Sequence, residues 1–455
     1  MKREETSMLR KHILILLLVW LLASAVSLTA SVLKAGVAKV DITPPMGTKM
    51  WGYFDREAGA SATLDPLFAR VLVLEAGDER LALVALDLGR TFGPLSLALL
   101  KEAVQKSTGI VHLLVVASHT HAGPVIQDEY PEGTPAWERT DLDRINTSIG
   151  EAVKNAVEAR LGVGYGSVYI GYNRRRVNPD GTVTMLWDNK TKLPTSPFDP
   201  TVSVLRVDTA SGRPLAILVN YACHAVIFGA SNLRYSADFP GVVTRTTEKA
   251  FNNQPLCFFL QGACGDINPY FATTAEEEDP VKRCQWTGEL LGQEAARVAS
   301  SIPTKAGPDS RLDIGEELLS FKLRWDRAKL RESVLKLIGP KAFENYAPSI
   351  KNEYHLPVTT LLINRQIAFM SMPGEPFVDF QVDWRNRCPV RDSFFLGYAN
   401  GYYGYFPTIQ AASEGGYGAS DPVTWIETGA GERMVDRAVV KVYELLGKLV
   451  DNPRD

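Results

Sequence analysis

Two histidines one residue apart, His119 and His121, follow the aliphatic run 111–117 in the segment Ser118-His119-Thr120-His121-Ala122-Gly123-Pro124. In extended backbone alternate side chains leave on the same side, so both imidazoles face one way. A third histidine, His224, follows the run 215–221, and the run 366–372 opens into Pro373-Gly374-Glu375-Pro376. Imidazole and carboxylate are common ligands of catalytic zinc, an ion that keeps one position for water and lowers its pKa to about 7. The chain has six histidines, and three of them stand at these run ends. His12 lies in the N-terminal apolar segment, and His112 and His355 have no comparable setting. That distribution supports a metal site. Hydrogen-bonded core or surface histidines are the competing reading, because His-x-His alone is a weak motif.

Other chemistries are less well served. Ser118, Ser236 and Ser413 are available, but no Gly-x-Ser-x-Gly elbow occurs, which ranks a serine nucleophile below a metal. There is no Gly-x-x-x-x-Gly-Lys phosphate loop and no dinucleotide fingerprint, so no nucleotide cofactor is implied. The formal net charge of -3 is spread along the chain without an acidic or basic block, so no nucleic-acid partner is expected. Five cysteines without C-x-x-C spacing argue against a thiolate zinc site or a disulfide scaffold. Cys264 and Cys284 are a near pair for one disulfide, and the odd count leaves at least one thiol free.

Something rigid must hold the histidine loops. Runs of β-branched and aliphatic residues at 70–75, 81–88, 111–117, 202–207, 215–221, 256–261, 366–372 and 393–398 predict buried strands. The last ends in a loop holding Tyr402, Tyr403, Tyr405 and Tyr417. Helical spacing recurs at 94–107, 141–159, 241–251, 288–301 and 431–450. This interleaving predicts an α/β (mixed α+β) fold, with a large central mixed sheet flanked by helices in a single catalytic domain over 32–455. Residues 1–31 read differently. Lys2, Arg3, Arg10 and Lys11 precede an apolar run and the small triplet Ala23-Ser24-Ala25, the order of a signal peptide or an uncleaved N-terminal anchor. The expected destination is outside the cytoplasm, secreted or periplasmic.

Taken together the motifs resemble the catalytic domain of the neutral (alkaline, non-lysosomal) ceramidases over nearly the whole chain after residue 31. The matching segments are Gly36-Val37-Ala38-Lys39-Val40-Asp41-Ile42-Thr43-Pro44-Pro45 with Trp51-Gly52-Tyr53, then the His119–His121 segment, Asn173-Arg174, Asn220-Tyr221-Ala222-Cys223-His224, Ser236-Ala237-Asp238-Phe239-Pro240-Gly241, Gly265-Asp266-Ile267-Asn268-Pro269 and Pro373-Gly374-Glu375. The resemblance implies a Zn2+ ion held by His119, His224, Glu375 and Tyr405, with Tyr402 the substitute tyrosine. It assigns His121 and Arg174 to binding or polarising the substrate amide, and Tyr417 to contacting the substrate. The implied reaction is hydrolysis of the amide of ceramide or a related N-acyl lipid, with peripheral membrane contact as the accompanying expectation.

The chain departs from the family at three places. Asn268, the fourth residue expected at the reaction centre, stands where the ceramidases carry serine beside the zinc-bound water. The tyrosine loop lacks their Thr-Thr-x-Glu-Glu-Tyr run, and no immunoglobulin-like C-terminal domain follows the last expected helix. Two alternatives therefore stay open: a zinc hydrolase of a non-lipid, small-molecule N-acyl or ester substrate, and a non-catalytic metal- or ligand-binding relative. Nothing in the residue pattern specifies an oligomeric state.

Overall fold

Runs rich in valine, leucine and isoleucine favour extended backbone with buried faces, and in this chain they pair into two main sheets. The computed structural model describes residues 31–307, 309–346 and 350–449. The expected signal or anchor, up to residue 30, lies outside the described residues. The larger sheet contains Lys34–Asp41 (β1), Phe68–Ala76 (β2), Glu79–Leu86 (β3), His112–Ala117 (β4), Val157–Ser167 (β5), Thr201–Thr209 (β6), Pro214–Tyr221 (β7) and Leu256–Gln261 (β8). Its order is β8-β7-β6-β5-β1-β2-β3-β4. Between β5 and β1 only Lys34↔Glu158 and Ala35↔Val157 pair, so the sheet consists of two halves joined by a short seam. The smaller sheet runs Leu312–Lys322 (β9), Glu353–Ile363 (β10), Ile367–Ser371 (β11) and Asp392–Leu396 (β12) in that order.

Three neighbouring strand pairs are parallel: β3 with β4, β7 with β8, and β11 with β12. A parallel pair needs a crossover, and each has a helix. Pro94–Thr108 (α1) follows β3, Asp238–Ala250 (α3) follows β7 and Val378–Arg387 (α6) follows β11. Each β-α-β unit presents the carboxyl ends of both its strands on one side, where ligand sites of open sheets form. Three such units therefore supply three pairs of strand ends to one place.

Burial explains why the units converge. Leu72, Leu83 and Leu114 from one half of the large sheet, Leu205, Leu218 and Phe258 from the other, and Leu361, Phe369 and Phe394 from the small sheet share a single apolar core. Helices cover the outer faces. Leu100 of α1 and Ile145 of Ala136–Lys154 (α2) pack on the first half. Val243 of α3 and Leu291 of Pro280–Ser301 (α4) pack on the second. Val334 of Arg327–Tyr346 (α5), Trp384 of α6 and Met434 of Ala430–Leu445 (α7) pack on the small sheet. This is the mixed α/β fold with a large mixed sheet that the strand and helix pattern implies. No helix among the described residues is long and apolar enough to cross a membrane.

Two expectations are corrected. The helix expected over 141–159 lies at Ala136–Lys154, and its last residues belong to β5 instead. A side-chain Cβ at Gly162, Gly164 or Gly166 would lie 2.4, 2.7 and 2.2 Å from side-chain atoms of Ile302 or Glu294. Glycines there let α4 and the residue that ends it lie directly on the strand. Second, all five cysteines are free. The Cys264 thiol lies 3.0 Å from the Tyr398 hydroxyl, while Cys284 is buried in α4.

Candidate metal centre

His119 sits two residues beyond β4 in a left-handed conformation (φ 65°), and its N–H donates to the Leu88 carbonyl at 2.9 Å. Its Nδ1 lies 2.6 Å from the Gly89 carbonyl, on the loop leaving the parallel neighbour β3. His224 follows β7, and its Nδ1 lies 2.5 Å from the Cys264 carbonyl, on the loop leaving β8. The two imidazoles are thus oriented in the same way, each by a carbonyl from the loop after its partner strand. A carbonyl only accepts, so each Nδ1 carries a proton, and in the neutral ring that turns the Nε2 lone pair toward the site.

Those lone pairs meet. Glu375 Oε2 is 3.3 Å from His119 Nε2 and 3.1 Å from His224 Nε2, and His121 Nε2 is 3.2 Å from His119 Nε2. His119, His224 and Glu375 are 1, 1 and 2 % exposed, so bulk solvent screens their interactions little. Acceptors crowded in a buried site repel one another unless a cation or a shared proton lies among them, and ring N–H groups held by backbone carbonyls are the usual support of metal-bound histidine. The donor set fits a divalent ion of the zinc type. Burial, helped by the Arg174 charge, pushes His224 down to about 4. Burial and the neighbouring imidazoles push His121 well below its ordinary value. Burial works to raise Glu375, but His119 and His224 hold it well below the usual carboxylate range.

Glu375 is placed by the third β-α-β unit. It follows β11 through Pro373-Gly374 and pairs with Tyr405 in a two-residue parallel ladder. Tyr402 donates to its Oε1 at 2.5 Å and Tyr398 to its Oε2 at 3.3 Å. The Tyr405 hydroxyl accepts from Arg174 Nη2 at 3.2 Å, and the Tyr405 ring lies parallel to His224 at 6.5 Å between centroids. Tyr417 meets the Tyr405 ring edge-on at 5.4 Å. Arg174 is 4 % exposed and also donates to the Gly265 carbonyl (2.7 Å) and to Asn268 Oδ1 (3.1 Å). All eight residues singled out from the sequence therefore fall in one neighbourhood.

Several positioning residues escaped the sequence reading. Gln261, the last residue of β8, donates to the carbonyls of Ser118 (2.8 Å) and Cys223 (2.9 Å) and accepts from the Cys223 N–H (3.3 Å). One buried carboxamide thus joins the two histidine loops. Replacing it with alanine removes three buried hydrogen bonds, at about 1 kcal/mol each. We expect Gln261→Ala to lose about 3 kcal/mol of stability in denaturant unfolding, and a loss under ~0.5 kcal/mol would contradict this role. Arg56 donates to the carbonyls of Trp51, His121, Gly229 and Ala230. It pins the turn Trp51-Gly52-Tyr53 against His121, where a Cβ on Gly52 (φ 107°) would come within 2.4 Å of the imidazole. Tyr398 stacks on His119 with centroids 4.1 Å apart. The Trp51-Gly52-Tyr53 motif was a usable signal for the turn; Arg56 and Gln261 carried none.

Two cavities reach the cluster. One of about 560 Å³ has His119, His121, Glu375 and Tyr402 in its wall, and another of about 660 Å³ has His121, His224, Arg174 and Asn268. His121, Tyr405 and Tyr417 border both.

Comparison with known proteins adds three findings. The neutral/alkaline non-lysosomal ceramidase family, N-terminal part, matches residues 33–334, a span that includes His119, His121, Arg174, His224 and Asn268. No curated protein sequence matches. Among solved structures, the neutral ceramidase from Pseudomonas aeruginosa is similar with a TM-score of 0.71 at 18% identity, covering 93% of this chain and 76% of that one. A structure described as ceramidase complexed with C2 is similar with a TM-score of 0.71 at 18% identity, covering 93% and 77%.

Proposed function

The chain belongs to the neutral/alkaline non-lysosomal ceramidase family, and from that premise we propose that it hydrolyses the amide of ceramide or a closely related N-acyl lipid, using a zinc ion held by His119, His224, Glu375 and Tyr405. The observation that carries the reading is the convergence of two histidine Nε2 atoms on one buried carboxylate oxygen. Bound there, zinc would supply Lewis acidity toward the acyl carbonyl and a water of lowered pKa.

The chain's own residues do the rest. His121 borders both cavities, and its Nδ1 is buried without a hydrogen-bond partner. It is the imidazole free to exchange a proton with the departing amine. Arg174 and Tyr417 offer N–H and O–H donors on the wall of the second cavity, suited to an acyl oxygen as negative charge develops on it. An N-acyl amine has two arms that diverge from its amide, and the two cavities, which share His121, Tyr405 and Tyr417 among their lining residues, offer space for both.

The test is fatty-acid release from a fluorescent ceramide, run beside a panel of water-soluble N-acyl amines. Exhaustive chelation is expected to stop release and added zinc to restore it. Full activity after metal removal would overturn the zinc reading, and turnover of soluble amides alone would overturn the lipid.

A further inference from the structure

Asn268 lies in the short strand Ile267–Pro269, which pairs antiparallel with Gly171–Asn173 so that Asn268 faces Tyr172. The fit is close. A Cβ at Gly171 would lie 2.6 Å from the Asn268 carbonyl oxygen. Arg174 leaves the end of the partner strand, its N–H donating to the Asp266 carbonyl at 2.9 Å, so both side chains start from one rigid ladder.

Arg174 is a buried cation, and among the described residues no carboxylate forms an ion pair with it. Its guanidinium is held by neutral acceptors alone. Nη1 donates to Asn268 Oδ1 (3.1 Å), and Nη2 divides its two hydrogens between the Gly265 carbonyl (2.7 Å) and the Tyr405 hydroxyl (3.2 Å). Nε has no partner. The rings of Trp187, Tyr405 and Tyr417 surround the group at 5.2 to 5.6 Å. The planar fork is thus oriented through its terminal nitrogens, and among the described residues Asn268 supplies the only acceptor for Nη1. The Tyr172 hydroxyl, on the strand opposite, donates to the Leu186 carbonyl at 3.0 Å.

We propose that Asn268 is a positioning residue: its side-chain oxygen holds the Arg174 guanidinium in the orientation that donates to Tyr405, and so keeps Tyr405 aimed at the metal. This rests on the reading above, in which Tyr405 belongs to the zinc site. The residue does not work as a nucleophile. What the position requires is an acceptor long enough to reach Nη1, and a serine oxygen, one atom nearer the backbone, falls short.

The prediction separates acceptor from donor. Asn268→Asp keeps the oxygen and removes the N–H donors. Asn268→Ser and Asn268→Ala lose the reach. Zinc affinity is measured by competition with a chromophoric chelator, and melting temperature is recorded for each metal-free protein. Losing a contact that supports a ligand costs about 10–100-fold in metal affinity. We expect that loss in Asn268→Ser and Asn268→Ala, recovery to near the wild-type value in Asn268→Asp, and no further loss when Asn268→Ala is combined with Arg174→Ala. Affinity as low in Asn268→Asp as in Asn268→Ala would overturn the proposal. So would equal affinity in all the proteins. A wild-type chain that takes up no zinc would instead sink the underlying zinc reading, and zinc data that hold while no N-acyl lipid is cleaved would sink only the substrate.

Discussion

Replacing His119 with alanine is expected to leave a folded protein that takes up no zinc and hydrolyses no amide. Support contacts around a metal cost about 10–100-fold when removed, so loss of a ligand should lower kcat/KM by roughly a thousandfold or more. The fold should survive, because the loop is also held by the His119 N–H on Leu88 and by Gln261 on Ser118. His119 has a left-handed backbone, which alanine tolerates poorly and asparagine tolerates better. His119→Asn therefore separates backbone strain from lost coordination. Both variants should be metal-free by elemental analysis and inactive, with Asn the more stable. Stoichiometric zinc in either would contradict the assignment.

His121→Ala should behave differently, keeping zinc while losing turnover. His119 and His224 have Nδ1 fixed by a backbone carbonyl, the arrangement that presents Nε2 to a metal; His121 has no such partner. Its position is set through its own carbonyl by Arg56 and by the close approach of Gly52. A residue that moves a proton contributes about 10²–10⁴-fold, so we expect kcat to fall by about that factor with zinc content unchanged. Loss of zinc as complete as in His119→Ala would instead make the ligand set three imidazoles, a grouping the geometry permits, since one ring nitrogen from each of His119, His121 and His224 lies within 4.8 Å of the others.

The carriers of the site were readable because they stand just beyond continuous aliphatic runs, and strands of this kind are defined locally by side-chain type. His119, His224 and Glu375 could be placed at strand ends without knowing which strands were neighbours. The supporting contacts were not readable, because they join distant parts of the chain. Gln261 acts on Ser118 from 143 residues away, and Arg56 on His121 from 65. Nor could the tyrosines be sorted by spacing. Tyr402 bonds Glu375 and Tyr405 bonds Arg174 because the backbone turns between them at Gly404 (φ 69°), a conformation decided by its tertiary surroundings. The helix expected over 141–159 ran on into β5 for a related reason. Its alanines and valines suit either structure, and the choice was made by α4 packing on the glycines of that strand.

The most direct test of the zinc site is anomalous diffraction at the zinc absorption edge from crystals of the zinc-loaded chain. One peak is predicted, enclosed by His119 Nε2, His224 Nε2, Glu375 Oε2 and the Tyr405 hydroxyl oxygen. A peak elsewhere, or full hydrolytic activity from a protein with no peak at that position, would contradict the account.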